Sequence, residues 1–450
     1  MRIILPKDVG IILKTIQQAG YEAYAVGGCV RDCLLGRQPD DWDITTSALP
    51  EQIKGIFPRT IDTGIQHGTV TIMMNHVGYE VTTYRIDGEY EDGRHPKEVT
   101  YTGNLVEDLK RRDFTINAMA YNEETGLVDA FHGMEDIGKR MIRCVGDAHQ
   151  RFEEDALRMM RAVRFSAQLG YRIEEGTMEA MRKLAPRLKQ ISAERIQVEL
   201  TKLLCSAHPD YLRSAWETGL TAVFLPEFDH AMETKQNNPH HCYSVGEHIL
   251  HSLLHVKEDK VLRLTMLLHD IGKPVTRQTD KEGIDHFYGH GDVGEEMAEQ
   301  ILKRLRFDND TIEKVCRLVK YHDLRPKPVP RSVRKAIVKI GSELFPYFLQ
   351  VQQADILAQA EEKRKEKQEA LDAMKRVYEE VMAAGDCLTL KDMALTGRDL
   401  LGLGMKPGKE LGAILNRLLN HILDYPEDNE KEALLGLVQN WEKERKNSPE

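Results

Sequence analysis

Two aspartates separated by one residue, Asp41 and Asp43, carry the clearest chemical signal in the sequence. On an extended segment, residues two apart point to the same side, so both carboxylates face one way and Trp42 faces the other. Shortly before them, Gly27 and Gly28 precede a predicted helix. Glycine lets backbone N–H groups close on a phosphate, and a helix N-terminus favours that negative charge. Because paired carboxylates bind Mg²⁺, the combination predicts Mg²⁺-dependent chemistry on a nucleoside triphosphate.

Either half of this pattern is common by itself, the diglycine as a turn and the acidic pair as a solvated edge. The order and spacing of both halves across residues 25–44, AVGGCVRDCLLGRQPDDWDI, are more specific. This stretch resembles the signature GGxVRDxLLG followed by DxD of the class II tRNA nucleotidyltransferase and bacterial poly(A) polymerase family, within the DNA polymerase beta-like nucleotidyltransferases. The resemblance implies that Asp41 and Asp43 are catalytic and bind two Mg²⁺ ions. It also implies that Gly28 and Arg31 hold the triphosphate.

A third carboxylate is expected at Glu80. Residues 68–86 alternate apolar and polar side chains around a turn, which predicts a β-hairpin with Glu80 in its second strand. The resemblance places a catalytic acidic residue at this position of the strand EVTTYR, although a surface glutamate on an edge strand is the alternative. The polar segment 87–99 that follows predicts a loop. In the enzymes that it resembles, a flexible loop here takes part in switching from CTP to ATP addition.

A basic motif follows in residues 111–122, RRDFTINAMAYN. Arg112 and Asp113 stand at the mouth of an apolar segment, where a guanidinium can reach a phosphate or a ribose hydroxyl. A structural Arg–Asp pair is the alternative. The string resembles the second motif of the family, which implies that Arg112 contacts the ribose and the nucleotide.

Residues 151–170 predict a single helix that carries Asp155, Arg158, Arg161 and Arg164 along one slowly drifting face. Three arginines on one face repel each other unless an anion lies nearby. This arrangement favours contact with a phosphate or a base. An ordinary ion pair between Asp155 and Arg158 is the alternative. The helix resembles the EDxxR motif of the family, and the resemblance implies that Asp155 and Arg158 read the base edge of CTP or ATP. Arg161 and Arg164 are then expected toward the phosphates.

A second group of residues with catalytic potential is rich in histidine. Between Pro239 and Asp323 lie nine of the 17 histidines, namely His240, His241, His248, His251, His255, His269, His286, His290 and His322. The pair His269 and Asp270 ends an apolar helix and is followed by IGKP. Imidazole and carboxylate ligands from several helices form a transition-metal or mixed binuclear site that can activate water against a phosphoester.

This region resembles the HD phosphohydrolase domain. The resemblance implies the metal ligands His248, His269, Asp270 and Asp355, with His290 and His322 as the extra ligands of a two-metal version. Some bacterial tRNA nucleotidyltransferases carry such a domain, with phosphatase and 2′,3′-cyclic phosphodiesterase activities. A degenerate HD fold that serves only as a tRNA-binding scaffold is the alternative, because a fold does not guarantee a function.

These elements predict an α+β protein: a polymerase-beta-like nucleotidyltransferase head with a small mixed sheet, followed by an all-α neck, HD body and tail. The predicted domains are a head at 1–140, a helical neck with the base-selecting helix and an RNA-binding region at 141–225, an HD domain at 226–360 and a helical tail at 361–450. Within the head, a helix is expected to open at Val30 and a strand to carry both aspartates. The tail is expected to begin with a solvated connecting helix.

The bulk composition is that of a globular chain, with 450 residues, 41% apolar and 30% charged. Seven cysteines without a CxxC pair, no long apolar run and no signal peptide predict a cytoplasmic protein without a membrane partner. The net charge of −10 argues mildly against a nucleic-acid partner, whereas local basic clusters such as 110–112 and 182–189 argue for one.

The resemblance implies that CMP and AMP are added to the 3′ end of tRNA from CTP and ATP, without a nucleic-acid template and with release of pyrophosphate. A poly(A) polymerase, or an enzyme that adds only A or only CC, is the alternative within the class. From another class, the alternative is an HD-type metal-dependent phosphohydrolase that acts on small phosphoesters. The sequence leaves open the oligomeric state and the metal of the HD site.

Overall fold

The computed structural model describes residues 2–88, 99–237 and 243–447. The predicted loop 87–99 therefore lies almost wholly outside the described residues, as do His240 and His241. The chain divides into two compact units, Met1–Asp229 with Arg304–Arg306 and His230–Lys303 with Phe307–Glu450. The four domains predicted from the sequence divide the chain more finely than these two units, and their boundaries stay a prediction.

The first unit is built on a mixed β-sheet. Its strands are β1 Ala23–Val26, β2 Ile44–Thr46, β3 Thr60–Gly64, β4 Thr69–Met74, β5 Val77–Thr83, β6 Arg85–Asp87, β7 Val99–Tyr101, β8 Ala120–Asn122, β9 Gly126–Val128, β10 Met141–Ile142 and β11 Arg172–Ile173. In the described residues the main sheet has seven strands in the order β3-β4-β5-β2-β1-β8-β9, and only β2 with β5 is parallel. The hairpin of β4 and β5 is confirmed.

The helices that accompany the sheet are mostly short. They are α1 Lys7–Gln18, α2 Gly28–Leu34, α3 Pro50–Ile56, α4 Leu105–Lys110, α5 Gly133–Gly138, α6 Ala148–Glu154, α7 Leu157–Leu169, α8 Glu175–Leu184, α9 Ala193–Leu204, α10 Leu212–Glu217, α11 Thr221–Phe224 and α12 Pro226–Glu233. α1 buries Val9, Ile12 and Ile16, which helical spacing places on one face. That face packs against Ile44 of β2 and Val81 of β5, so the helix supports the strands beside the acidic pair.

Two local predictions in this unit are wrong. α2 begins at Gly28 rather than at Val30, because Gly27 adopts a φ of +85° and turns the chain directly into the helix. Residues 151–170 form α6 and α7 rather than one helix. The break falls at Asp155, whose backbone is extended with φ −146° and ψ 104° and whose carboxylate accepts a hydrogen bond from Leu157 N at 3.0 Å. Asp155 therefore satisfies a free N–H at the start of α7 instead of continuing α6.

The second unit is helical, with one short strand pair. Its elements are α13 Val245–Leu253, α14 Lys260–Leu268, α15 Lys273–Thr276, β12 Gln278–Thr279, β13 Asp285–His286, α16 His290–Arg304, α17 Asn309–Tyr321, α18 Pro330–Ile340, α19 Phe345–Leu357, α20 Glu361–Ala384, α21 Gly397–Gly402, α22 Lys409–Asp424 and α23 Lys431–Asn447. A core that includes Ile337, Phe345 and Phe348 joins α18 and α19 to Leu371 and Met374 of α20. α20 is therefore packed on one side rather than solvated all round. Sheet and helices together confirm the α+β class.

Gly272 allows α14 and α16 to lie close together. The chain leaves α14 through His269 and Asp270 and turns at Gly272. A Cβ atom on Gly272 would lie 2.4 Å from the carbonyl oxygen of His290 and 2.8 Å from the backbone nitrogen of Gly294. Only glycine fits there, and the contact brings the His269–Asp270 pair beside the first residue of α16.

Candidate nucleotide site and candidate metal centre

The acidic pair lies immediately before β2 rather than within it, which corrects the predicted strand. The expected alternation is nevertheless present, because Asp41 is exposed while Trp42 packs against the apolar core. Val26 N of β1 donates to the carbonyl oxygen of Asp43 at 2.9 Å, which fixes the backbone of this residue at the end of the strand.

Glu80 stands beside the pair. In the parallel pairing of β2 and β5, Ile44 lies opposite Val81, so the preceding residues Asp43 and Glu80 are neighbours across the two strands. Desolvation by the surrounding protein raises the pKa of Asp43; Arg112 opposes this, and the carboxylates of Asp41 and Glu80 raise the pKa further. A cation between the three carboxylates would relieve that repulsion. Among the described residues, however, their oxygen atoms do not all lie within 4.8 Å of one another.

A cavity of about 420 Å³ opens beside Asp43. All seven residues expected to bind the nucleotide line it, namely Gly28, Arg31, Arg112, Asp155, Arg158, Arg161 and Arg164. Asp41 and Glu80 are not among the lining residues. The structure thus brings residues from the diglycine turn, the RRD motif and α7 to one place, although they are spread over more than 130 positions of the chain.

Each arginine of α7 has a carboxylate partner within the chain. Arg158 Nη1 donates to Glu154 Oε2 at 2.7 Å, Arg161 Nε donates to Asp113 Oδ2 at 2.7 Å, and Arg164 pairs with Glu199. The argument that these arginines need an external anion is therefore wrong, because their charges are already compensated. Burial raises the pKa of Asp113, but Arg161, Arg158 and the hydrogen bond from Asn117 together outweigh this and hold the pKa at about 2.

Asp155 is held by Arg195, which lies outside the sequence motifs expected to bind the nucleotide. Arg195 Nη2 of α9 donates to Asp155 Oδ2 at 2.7 Å, whereas Arg158 pairs with Glu154. The alternative interpretation, an ordinary ion pair between Asp155 and Arg158, is therefore wrong. Asn117 was missed as well, and its Oδ1 accepts a hydrogen bond from Arg31 Nη1 at 2.6 Å. No local pattern could have indicated either contact, because the partners are 40 and 86 residues apart in the chain.

Arg112 is only partly satisfied. Its Nη2 lies 3.4 Å from Asp108 Oδ2, and its buried Nε has no hydrogen-bond partner among the described residues. A Cβ on Gly27 would lie 3.1 Å from Arg112 Nη1, so the glycine at this position leaves room for the guanidinium. A buried donor without a partner costs free energy unless an acceptor arrives, and a phosphate oxygen is a suitable acceptor.

The six residues expected to bind metal in the second unit converge as two groups. In the first group, His248 Nε2 lies 3.2 Å from His269 Nε2, 3.5 Å from Asp270 Oδ2 and 3.1 Å from Asp355 Oδ1. In the second group, His290 Nε2 lies 3.1 Å from His322 Nε2, and Asp270 Oδ1 lies 3.7 and 3.5 Å from them. Asp270 therefore presents one oxygen to each group.

The second ring nitrogen of each histidine faces a backbone carbonyl. Nδ1 lies 3.3 Å from Ala358 O in His248, 2.7 Å from Met266 O in His269, 2.8 Å from Phe287 O in His290 and 2.7 Å from Val319 O in His322. Because a carbonyl oxygen only accepts, Nδ1 is the donor in each of these contacts, and Nε2 is the ring atom that remains to bind a metal ion. Burial lowers the pKa of His290, which favours the neutral ring.

This donor set fits metal ions. Nitrogen and oxygen atoms bound to one ion at ~2.0–2.2 Å lie roughly 3.0–3.5 Å apart, close to the separations found here. Facing Nε2 lone pairs repel each other unless a cation lies between them. Asp270 Oδ2 is buried without a hydrogen bond of acceptable geometry among the described residues, although Lys273 Nζ lies 2.7 Å away. Burial raises the pKa of Asp270, but Lys273 and His269 hold it well below its ordinary value, so the carboxylate is charged.

Two other histidines of the cluster, His251 and His286, have partners outside the metal centre. His251 stacks on Tyr243 with ring centroids 4.2 Å apart, and His286 Nε2 lies 2.8 Å from Asp280 Oδ2. Among the described residues, the sets of three ligands whose atoms all lie within 4.8 Å of one another are His248, His269 and Asp270, and Asp270, His290 and His322; Asp355 belongs to neither set.

Comparison with known proteins gives consistent matches. Family profiles for the Poly A polymerase head domain, for the RNA and SrmB-binding site of polymerase A and for tRNA nucleotidyltransferase domain 2 match residues 23–143, 170–232 and 276–438. The CCA-adding enzyme of Levilactobacillus brevis is 38% identical over 95% of this chain and 96% of that protein. The crystal structure of the Bacillus stearothermophilus CCA-adding enzyme in complex with CTP is similar at 30% identity and a TM-score of 0.73, over 99% of this chain and 100% of that chain.

The Thermotoga maritima CCA-adding enzyme complexed with tRNA has a TM-score of 0.58 at 19% identity, over 98% of this chain and 100% of that chain, which shows a shared fold alone. Together these matches define a nucleotidyltransferase with a polymerase-type head, a class whose members depend on metal. The chain belongs to the class II CCA-adding enzyme and poly(A) polymerase family. This confirms the family expected from the motifs, whereas the HD resemblance stays a prediction. No helix among the described residues is long and apolar enough to cross a membrane.

Proposed function

We propose that this protein adds C, C and A in turn to the 3′ end of tRNA, using CTP and ATP and releasing pyrophosphate. One observation carries the proposal: the 420 Å³ cavity joins Asp43 to Gly28 and to both expected base-reading residues, Asp155 and Arg158. Relatives named CCA-adding enzyme match nearly the whole chain, at 38% and 36% identity. tRNA is therefore the proposed acceptor.

Asp41, Asp43 and Glu80 are the residues proposed to hold Mg²⁺. When bound, Mg²⁺ lowers the pKa of the attacking 3′-hydroxyl and neutralises the leaving pyrophosphate. In the transfer, the 3′-oxygen forms a bond to the α-phosphorus, the bond from that phosphorus to the pyrophosphate oxygen breaks, and the hydroxyl proton passes to solvent. Arg112 supplies its unpartnered Nε to a phosphate oxygen.

Base choice follows from a feature that cytosine and adenine share. Both carry an exocyclic amine beside a ring-nitrogen acceptor, whereas uracil and guanine carry a carbonyl oxygen at the matching place. Asp155 accepts a hydrogen bond from the amine, and Arg158 donates one to the ring nitrogen. Arg195 and Glu154 hold these two side chains in place, with contacts of 2.7 Å each. The protein itself then replaces a nucleic-acid template.

The test uses a tRNA transcript that lacks its terminal CCA, incubated with the full chain and each labelled nucleotide. Addition of C, C and then A, followed by a stop, supports the proposal. Continued addition of A would instead indicate a poly(A) polymerase, and addition of only C or only A would indicate a partial enzyme. Absence of any incorporation with Mg²⁺ present would contradict the proposal.

A second function is favoured by the facing Nε2 atoms of the metal centre. We propose that the six clustered residues hold transition-metal ions and hydrolyse phosphoesters. Metal ions, when bound there, lower the pKa of a water molecule. The water oxygen then bonds to phosphorus, the ester bond breaks, and the ester oxygen departs with a proton. Asp270 would orient both groups of ligands, since it contributes one oxygen to each.

The hydrolase is tested by loading the protein with Mn²⁺, Ni²⁺ or Co²⁺ and measuring release of phosphate or of an alcohol from simple phosphoesters. Asp270→Asn keeps the shape of the side chain but removes its charge, and should abolish hydrolysis. Inactivity of the loaded protein on every ester would instead support the scaffold alternative. The proposed compartment is the cytoplasm, a reducing environment that suits the free thiols of Cys29, Cys33, Cys144, Cys316 and Cys387.

A further inference from the structure

The ring of Phe165, in α7, lies against three of the arginines expected to bind the phosphates. The guanidinium carbon Cζ lies 5.1 Å from the ring centroid in Arg31, 5.4 Å in Arg161 and 3.7 Å in Arg164. A cation over the face of a ring, within ~6 Å of its centroid, is attracted by the negative charge of the π-electrons. Arg31 belongs to α2 and the other two arginines to α7, so one ring contacts cations from two helices that border the nucleotide cavity.

The Phe165 ring is itself held in place. Phe165 is 6% exposed, and its ring meets that of Phe114 edge to face, with centroids 5.8 Å apart and an interplanar angle of 80°. Phe114 is fully buried and directly follows Asp113, the partner of Arg161. Phe165 also lines the 420 Å³ cavity. A ring with a fixed orientation therefore lies between the core and the place where the phosphates are expected.

Hydrogen bonds hold the same arginines at their edges, because guanidinium N–H groups point outward in the plane of the group. The acceptors are Asn117 for Arg31, Asp113 for Arg161 and Glu199 for Arg164. The arginines nevertheless repel each other: burial lowers the pKa of Arg164, Glu199 opposes this, and the charge of Arg161 lowers the pKa further. A leucine at position 165 would only fill space, whereas the face of a phenyl ring attracts the cations and offsets part of that repulsion.

We propose that Phe165 is a positioning residue for phosphate binding, whose ring face holds the three arginines so that their N–H groups point at the phosphate chain of the nucleotide. The inference rests on the proposed nucleotide addition and deepens it by separating two tasks within one cavity. Asp155 and Arg158 act on the base, whereas Phe165 acts on a part that CTP and ATP share. A change at position 165 should therefore affect both nucleotides equally.

Steady-state kinetics of nucleotide addition gives the first test. Phe165→Leu keeps a large apolar side chain but removes the ring face, and it should raise KM for CTP and for ATP at least about fivefold, by the same factor. Incorporation of UTP relative to CTP should stay at the wild-type level. Phe228→Leu, which removes a buried ring of α12 that does not line the cavity, is the matched control and should leave both KM values unchanged. A rise of KM for only one nucleotide, or a relaxed choice of base, would overturn the inference.

Fluorination of the ring separates its attraction for cations from its filling of space. Fluorine withdraws electrons from the ring and weakens that attraction, while the shape of the side chain changes little. Mono-, di- and trifluorinated phenylalanine at position 165 should therefore raise KM for both nucleotides in steps, in that order. Equal KM values along the series would show that the ring only fills space, and would overturn the inference.

Binding without turnover tests the role of Phe165 independently of the reaction. In equilibrium dialysis of the full chain with a trace of labelled CTP, inorganic tripolyphosphate and cytidine serve as competitors that represent the two parts of the nucleotide. Displacement by tripolyphosphate should require at least about fivefold more competitor in Phe165→Leu, whereas displacement by cytidine should require the wild-type concentration. An equal change for both competitors, or no change for either, would overturn the inference. If no nucleotide is added to tRNA but this binding pattern is found, the proposed function fails and the role of Phe165 in phosphate binding stands.

Discussion

Arg195 and Asp155, 40 residues apart in the chain, are joined by a hydrogen bond of 2.7 Å from Arg195 Nη2 to Asp155 Oδ2. The second oxygen of the same carboxylate accepts from Leu157 N at 3.0 Å. Both oxygens are thereby fixed in direction, and Asp155 faces the cavity with a set orientation. A residue that lies outside the nucleotide motifs of the sequence thus orients the expected base reader.

Replacing Arg195 should therefore impair the choice between nucleotides while leaving the protein folded. In Arg195→Ala, Asp155 loses one of its two anchors, and its carboxylate samples other orientations. We expect kcat/KM for CTP and ATP to fall about tenfold to a hundredfold and incorporation of UTP to rise relative to CTP. Steady-state kinetics with each nucleotide checks this. Arg182→Ala, which removes an exposed ion pair on α8, is the control. A loss of activity with unchanged discrimination would show that Arg195 has only a structural role.

The two chemistries should separate by mutation. Asp41→Ala removes an exposed metal-binding carboxylate of the first unit, and we expect nucleotide addition to fall at least about a thousandfold, because no other side chain can replace a lost charge on the metal. Hydrolysis at the centre around Asp270 should be unchanged. Labelled CTP incorporation and phosphoester hydrolysis, measured on the same preparation, check both expectations. Loss of both activities would contradict two independent sites.

Metal binding should stabilise the second unit. Because folding places four histidine Nε2 atoms and two carboxylates together, ions bind the folded chain far better than the unfolded one and raise Tm. We expect an increase of several degrees with Mn²⁺ or Ni²⁺, reversed by a chelator. His269→Ala should abolish it, whereas His251→Ala, whose ring stacks on Tyr243 outside the centre, should retain it. An equal increase of Tm in the wild type, in His269→Ala and in His251→Ala would indicate that the metal binds elsewhere.

The sequence indicated which residues form the sites better than it indicated which partners hold their side chains in place. The acidic pair, the diglycine and the His269–Asp270 pair were found because each is a short string whose chemistry is local. The partners of Arg161 and Arg164 were not found, because Asp113 and Glu199 lie 48 and 35 residues away in the chain, and only the fold brings them together. The break at Asp155 was missed for a related reason. Its side chain competes with the helix for a backbone N–H, which apolar periodicity does not register.

The ion pair between Arg161 and Asp113 leads to a prediction about how the stability of the protein depends on pH. The pKa of Asp113 lies at about 2 in the folded protein, below its ordinary value of 3.8, because Arg161, Arg158 and the hydrogen bond from Asn117 together outweigh burial. A depressed pKa contributes stability that is complete above pH 3.8 and is lost as pH falls toward 2, and the difference corresponds to about 2 kcal/mol. Urea unfolding of the first unit, followed between pH 5 and pH 2, should show this loss in the wild type. The free energy of unfolding should depend less steeply on pH in Asp113→Asn. An unchanged pH dependence would exclude Asp113 as the titrating group.

Gly272 offers the most direct test of how the metal centre is positioned. A Cβ at this position would lie 2.4 Å from the His290 carbonyl oxygen and 2.8 Å from Gly294 N, both of which are backbone atoms that cannot move away cheaply. We expect Gly272→Ala to cost about 2–3 kcal/mol of unfolding free energy and to abolish the metal-induced rise in Tm, because α14 and α16 are forced apart. Gly412→Ala on α22, where a Cβ meets nothing within 4 Å, should instead be neutral or stabilising by up to about 1 kcal/mol. Denaturant unfolding with and without Mn²⁺ measures both effects. If Gly272→Ala keeps its stability and its metal response, the close contact between α14 and α16 does not position the ligands.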